Sequence, residues 1–481
     1  MDLKEIPQAL SVKRAQVEFH NFAALGEPER ATAMFHRLNA DRAGVLRRNA
    51  AYLGAMSPFL EIGANAGHTS YMLANEFGCE GFALDISADA LRHGRALQDI
   101  WGLSRAPVRV AGDAVNLPFR DNSLRMVMAC QMLSQFMDME RVFVEVKRVL
   151  APGGLFLFVQ EPIRRLLSLR LYRCPYERQM KPWERKLHQW GLLGYLVKDV
   201  IGAHQEENFG IRQNHRMTLK AWHNLIHKHF ADARYEITPA DRGWGEHFVR
   251  VAARGLSRSK SEWYPARLLG GSLVAMCRKA GAAPAEFPPI TQLEAYLHCP
   301  DCHAGLRLDS DRALRCAACG YEAADEAEVY NLLPSADRRE LYPGDRRDTV
   351  DFSRPSHEAH LIEGWHGLEG EYGGKFRWIG GKAVLWLESM REGPQRLRVR
   401  GFAPLQLCGE GRVLSLTIVV NGATLPAATL DRPGLFVIER DVAAAEKYVV
   451  ELRPAATFQP PPPDGRSLAL NIGMVRLVPR D

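Results

Sequence analysis

Glu61-Ile62-Gly63-Ala64-Asn65-Ala66-Gly67-His68 is the stretch that decides the fold of the first half of this chain. It follows an apolar run, Pro58 to Ile62, and precedes a helical pattern from Thr69 to Glu76, so it reads as a tight turn between a strand and a helix. Glycines in such a turn let the backbone approach a ligand closely, and a helix N-terminus offers free amides. Taken alone, the turn is as well explained by local geometry as by binding. Its surroundings carry the argument. Gly81 to Asp85 forms a second strand ending in an acid that can accept both hydroxyls of a ribose. Val108 to Val110, Met126 to Ala129 and Leu155 to Val159 form three more, with helical stretches between most of them. The pattern predicts α/β architecture with a doubly wound, Rossmann-like parallel sheet. Gly112-Asp113-Ala114 closes the third strand, and Pro152-Gly153-Gly154 opens the fifth.

In this order and at this spacing the motifs of residues 55–160 resemble class I S-adenosylmethionine-dependent methyltransferases of the small-molecule type. The resemblance implies that Glu61, Gly63, Asn65 and Gly67 frame the methionine part of S-adenosylmethionine. It places Asp85 with Ile86 at the ribose, and Asp113 with Ala114 at the adenine. Asn65 stands where the family usually has its middle glycine; Asn tolerates positive φ better than other side chains. The glycine spacing does not fit dinucleotide binding. The implied reaction is in-line displacement at a sulfonium methyl, helped by proximity and a general base. The family places that base in variable elements. The candidates here are His204, Glu206, Glu207 and His215, within a glycine-broken polar loop between an aromatic-rich helical stretch and a helix from Leu219 to Phe230. A solvated loop is the competing reading for each of them. His223 and His227 have the spacing of a helical metal pair but no carboxylate, and read as surface histidines.

Cys299-Pro300-Asp301-Cys302 and Cys316-Ala317-Ala318-Cys319 are two knuckles that can supply four thiolates to a tetrahedral Zn²⁺. With every position filled by thiolate, the ion would be structural. The phrase from Leu314 to Tyr321 resembles the zinc ribbons that accompany methyltransferases. Ribbons also bind nucleic acid. Between Tyr296 and Asp337, however, Arg307, Arg312 and Arg315 face eight acids, which argues against phosphate contacts. No zinc ligand lies near the cofactor motifs in sequence, so the ribbon is expected to be a separate module.

Toward the C-terminus short strands alternate with turns. The phrases around Trp365, Phe376-Arg377-Trp378 and Asp464-Gly465-Arg466 resemble β-sandwich modules of bacterial surface-polysaccharide enzymes. That resemblance implies a glycan, sugar-nucleotide or glycolipid acceptor. The sandwich would serve carbohydrate or protein partners, or oligomerisation. Trp365, Trp378 and Trp386 suit sugar stacking or core packing equally.

At 481 residues, with 46% hydrophobic and 25% charged residues and a net charge of +6, the chain should hold several domains and no concentrated nucleic-acid surface. The expected order is a methyltransferase domain with a helical substrate-side insertion (1–255), a helical linker (256–295), the ribbon (296–338) and the β-sandwich (355–481). No secretory signal, no apolar run of about 18 residues and nine cysteines, four in two metal-type pairs and five scattered, rather than a disulfide framework, predict a cytoplasmic protein. Two rival readings remain open from sequence. One is an RNA or protein methyltransferase that docks its substrate through the ribbon. The other is an inactive adaptor, supported only by Asn65.

Overall fold

The computed structural model describes Lys13, Val17 and residues 28–136, 138–172, 180–197, 217–238, 243–255, 262–342, 346–352, 355–370, 375–408, 412–431 and 433–480. The chain forms two compact units, Ala15–Ser335 and Ala336–Asp481 with Met1–Arg14.

The first unit is built on an eight-stranded sheet. Its strands are β1 (Phe59–Ile62), β2 (Gly81–Asp85), β3 (Val108–Ala111), β4 (Leu124–Cys130), β5 (Leu150–Ile163), β6 (Asp232–Thr238), β7 (Gly271–Arg278) and β11 (Val329–Asn331), in the order β11-β3-β2-β1-β4-β5-β7-β6. Strands β11 through β5 run parallel and β7 is antiparallel to both neighbours. Every residue of β1 and β2 is buried, as expected where helices cover both faces of a parallel sheet. The helices are α1 (Pro28–Arg48), α2 (His68–Glu76), α3 (Ala88–Ile100) and α4 (Met139–Val149), followed by α5 (Pro182–Gln189), α6 (Leu219–His229), α7 (Trp244–Gly255) and α8 (Trp263–Leu269). α4 shows how sequence sets such a helix. Asp138 caps Arg141, Lys147 and Arg148 sit in the last turn, and Met139, Val142, Phe143, Val146 and Val149 form one buried face.

Two expectations need correction. Residues 256–295 are not a helical linker, because β7 lies among them, buried between β5 and β6. Its run Gly271 to Arg278 lacks alternation because both faces are covered, and an apolar run of that length does not tell strand from helix. Nor is the cysteine-paired region a separate module. Its own small sheet, β8 (Arg307–Leu308), β9 (Leu314–Arg315) and β10 (Glu322–Ala323), is antiparallel. The chain then enters β11, which pairs parallel with β3, Val329 beside Arg109 and Asn331 beside Ala111. Cys299, Cys316, Leu314 and Tyr321 share one hydrophobic cluster with Phe82, Phe119 and Tyr296. An unpaired β3 would leave a row of backbone groups open, and β11 covers that edge.

The second unit is all-β and antiparallel. It comprises β12 (Thr349–Asp351), β13 (Leu361–Glu369), β14 (Phe376–Glu388), β15 (Gln395–Ala403), β16 (Leu414–Val420), β17 (Ala423–Thr424), β18 (Ala428–Leu430), β19 (Gly434–Val442), β20 (Lys447–Pro454) and β21 (Leu470–Pro479). The long strand β14 belongs to two halves. Ala383 to Glu388 pair with β20, and Arg377 to Ile379 pair with β21, on either side of Gly380-Gly381. One core cluster draws residues from both halves, including Leu385, Val399, Leu416 and Val450. Among the described residues no helix is long and apolar enough to cross a membrane.

Candidate functional site

The turn after β1 enters positive φ at three alternate residues: Gly63 at 67°, Asn65 at 51° and Gly67 at 80°. Gly67 is the N-cap of α2. The backbone amide of Asn65 donates to Asp85 Oδ2 at 2.8 Å, and that of Ser87 donates to Asp85 Oδ1, also at 2.8 Å. The acid at the end of β2 is therefore held between the turn and the N-cap of α3, where the Ser87 hydroxyl accepts from Ala90. A close approach sets the spacing from below. A Cβ on Gly94 of α3 would lie 2.1 Å from the Ala66 carbonyl oxygen, so only glycine lets α3 pack this near the turn.

Glu61 sits behind this surface. Its carboxylate is 2% exposed and accepts the amide of Ser70 at 2.7 Å and the Ser70 hydroxyl. Burial raises its pKa, opposed by the Ser70 hydroxyl and the Arg42 charge. Its visible work is to hold the first turn of α2. Asp113 Oδ1 accepts the amide of Val115 at 3.0 Å, closing the loop after β3, and Asp113 and Ala114 are both buried.

Sequence reasoning passed over α1. Asn39 Nδ2 donates to the His68 carbonyl at 2.9 Å, and Arg42 Nη1 donates to Thr69 Oγ1 at 2.7 Å. The His68 ring lies 4.9 Å from Trp101 and 6.4 Å from Phe35. Burial and the Arg42 charge lower its pKa to about 4, so it is neutral at pH 7. Asn39 Oδ1, Arg42 Nε and His68 Nε2 are buried without a hydrogen-bond partner, beside the glycine turn. Buried polar atoms are seldom left so. A polar ligand at the turn would satisfy them. The signal for α1 lay only in its position, helical and upstream of the first strand.

Glu161, near the end of β5, is fully buried and accepts the amides of Met132, Leu133 and Ser134 at 2.8, 2.9 and 3.1 Å. It fixes the segment after β4, whose Met132 side chain packs on Gly63. Burial raises its pKa to about 7, against those three amides.

The four cysteine sulfurs lie within 4.8 Å of one another, with Cys299–Cys319 and Cys302–Cys316 at 3.5 Å. Zn–S bonds of about 2.3 Å in a tetrahedron separate the sulfurs by about 3.8 Å, so this set fits such an ion. The knuckle also reaches the loop after β3. Asn116 Nδ2 donates to the Pro300 carbonyl at 3.2 Å, and His298 Nε2 donates to the Leu117 carbonyl at 3.0 Å. On the same side, Arg315 is held by Asp309, Asp311 and Glu322, and Arg312 by Asp325.

His204, Glu206, Glu207 and His215 lie outside the described residues. His223 and His227 have ring centroids 4.2 Å apart, and His227 Nε2 meets the Tyr235 hydroxyl. Among the described residues the cysteines are the only metal-type cluster. In the second unit the indole of Trp365 donates to Val384 and that of Trp386 to Ala359. Trp378 sits edge-on to Phe376 and Phe458. All three indoles are half-buried. Arg466 binds Asp464 at 2.6 Å and Glu369 at 2.6 Å, whereas Arg377 is held by Glu358 and His357.

Residues 60–158 match the family described as "Methyltransferase domain". The chain thus contains a class I S-adenosylmethionine-dependent methyltransferase domain. It is 26% identical over 128 residues to norajmaline N-methyltransferase of Rauvolfia serpentina, covering 27% of this chain and 41% of that protein. It is 29% identical over 237 residues to sarcosine/dimethylglycine N-methyltransferase of Halorhodospira halochloris, covering 49% and 77%. Among solved structures, one described as "a putative sarcosine dimethylglycine methyltransferase from Galdieria sulphuraria" matches over 51% of this chain and 86% of its own at 16% identity, with a TM-score of 0.32. The chain spans 41%, 33% and 42% of the first three curated relatives.

Proposed function

We propose that this protein transfers a methyl group from S-adenosylmethionine to a small polar acceptor. The observation that carries the reading is the positive-φ turn of Gly63, Asn65 and Gly67 closed on Asp85. Asp85 is the proposed acceptor for the ribose hydroxyls, since a carboxylate offers about four acceptor sites. Asp113 and Ala114 would border the adenine, Gly63 and Gly67 the methionine chain, and Ile86 the ribose face. When bound, the cofactor supplies an electrophilic sulfonium methyl. The protein's part is to align the acceptor behind that methyl and to take its proton. His204, Glu206, Glu207 and His215 are the proposed acceptor-side groups. Calorimetry with S-adenosylmethionine, then methyl transfer to candidate amines and hydroxyls, tests the reading. Absence of cofactor binding overturns it.

The proposed acceptor class is a glycan, sugar nucleotide or glycolipid intermediate, supported by the sequence phrases of the second unit, read here as a β-sandwich. The relatives carry names of N- and O-methyltransferases for small molecules, so a free sugar amine or hydroxyl is the first acceptor to assay. The cysteine set is proposed to hold one structural Zn²⁺. Docking of RNA on the ribbon has less support, because Arg312 and Arg315 are already bound by acids.

A further inference from the structure

Helix α7 is turned inside out. Its buried residues include Glu246 and Arg250, at 1% and 2% exposure, while Trp244, Phe248 and Val251 face solvent at 65%, 71% and 48%. Their spacing of four and three places these apolar side chains on one face of the helix. An ordinary surface helix does the reverse. The inversion is locked from beneath. Arg250 donates to the Gly270 carbonyl at 2.7 Å and reaches Glu246 and Glu262 at 3.3 Å, and Arg165 holds Glu246 at 2.6 Å. Rolling the apolar face inward would break these buried pairs and leave their charges uncompensated, a cost of several kcal/mol that opposes the roll.

The neighbouring elements repeat the pattern. Trp244 packs on Trp190 at the end of α5, with ring centroids 5.4 Å apart. The strip from Leu166 to Leu171 runs alongside, its Leu169 and Leu171 amides bonded to the carbonyls of Tyr195 and Leu196. Leu169 and Leu171 are 69% and 66% exposed. On α5, exposed Trp183 stands among exposed Lys181, Arg185 and Lys186. Among the described residues of this strip, α5 and α7, the acids are Glu184 and Glu246, and both are buried. The exposed charges of these elements are therefore cationic.

Apolar side chains of this size beside lysine and arginine, without exposed acids, match a bilayer interface whose headgroups are anionic. We propose that α7, the Leu166–Leu171 strip and α5 form a surface that docks on an anionic lipid membrane, with Trp244, Phe248 and Leu169 entering the headgroup region. This goes beyond the methyl-transfer reading and does not depend on it. No span of the bilayer is involved.

The test is co-sedimentation of the full-length protein with phosphatidylcholine vesicles carrying about one third phosphatidylglycerol. The protein should pellet with these vesicles, and weakly or not at all with pure phosphatidylcholine. Raising the salt several-fold should weaken binding, since the cationic share of the attraction is screened. The paired substitution Trp244→Ser with Phe248→Ser should lower the partition coefficient at least roughly tenfold, because two large apolar side chains leave the interface. Both sites are exposed, so the thermal transition should stay within about 2 °C of the parent. Val449→Ser, an exposed apolar residue of the second unit, should pellet like the parent. Failure to pellet with anionic vesicles, or equal pelleting of the paired variant, overturns the proposal. So does a self-associated protein in size-exclusion light scattering that the paired variant converts to monomer, which would make a second copy of this chain the occupant.

Discussion

The amide of Asn65 points at Asp85 Oδ2, 2.8 Å away, from a residue whose φ is 51°. The side chain that departs from the family's glycine thus stands where its backbone clamps the acid proposed for the ribose. Asp85 also accepts Ser87, so its removal has two effects. Asp85→Ala should weaken S-adenosylmethionine binding at least tenfold and lower the apo protein's unfolding free energy by about 2 kcal/mol, the scale of hydrogen bonds to a charged group. Titration calorimetry and apo thermal unfolding read the two separately. Unchanged cofactor affinity removes Asp85 from the site.

The conformation of Asn65 gives a second expectation. Asn65→Gly should leave stability within about 0.5 kcal/mol, while Asn65→Val should cost about 1–2 kcal/mol and weaken cofactor binding, because a β-branched residue resists positive φ. Urea unfolding of both variants checks it. Equal stability of the two would mean that the turn relaxes freely.

The turn and the ends of β1 to β3 were legible because their constraints are local. A strand must stop, φ must turn positive, and an acid must end the next strand. β7 was not, since Gly271 to Arg278 is covered on both faces and carries no period to read. β11 was hidden for another reason. Three residues, Val329 to Asn331, pair with Arg109 to Ala111 across more than half of the first unit's sequence, and no short-range pattern records such a partner. Gly94 looked like any helical glycine until its 2.1 Å approach to Ala66 was visible. The same holds for α7. Its apolar residues were plain in sequence, but their exposure follows from the buried pairing of Arg250 with Glu246.

Glu161 should make stability depend on pH. Its folded pKa is raised from 4.5 to about 7, chiefly by burial. For a group raised on folding, the contribution is full below the unfolded value and is lost as pH rises through the folded one. The protein should therefore lose up to about 3 kcal/mol from this group between pH about 4.5 and 8. Glu161→Gln should flatten that slope, although it also weakens the hold on Met132 to Ser134. Denaturant unfolding across the range supplies the comparison, and parallel slopes would count against a titrating Glu161.

Zinc and cofactor should prove linked. Elemental analysis should find about one zinc per chain, lost in Cys302→Ser with Cys319→Ser. Because His298 and Pro300 touch the loop after β3, the metal-free variant should bind S-adenosylmethionine several-fold more weakly while keeping its far-ultraviolet circular dichroism. Undiminished affinity would show that the loop holds its place without the knuckle.

The unit boundary falls at Ser335, after β11, so a protein of residues 15–335 keeps the whole eight-stranded sheet. It should be monodisperse and should bind cofactor as the full chain does. Ending instead at residue 290 removes β11 and with it Tyr296, whose ring lies 5.4 Å from Phe82 in a cluster completed by Phe119 at 4.9 Å. The β3 edge would then be open and apolar surface uncovered, the condition that invites edge-to-edge association. The shorter protein should aggregate or unfold at least about 5 °C lower. Light scattering and thermal unfolding of the two truncations decide the matter. A soluble, equally stable 15–290 protein would mean that the cysteine-paired region is dispensable to the fold, and that its contacts with β3 add little.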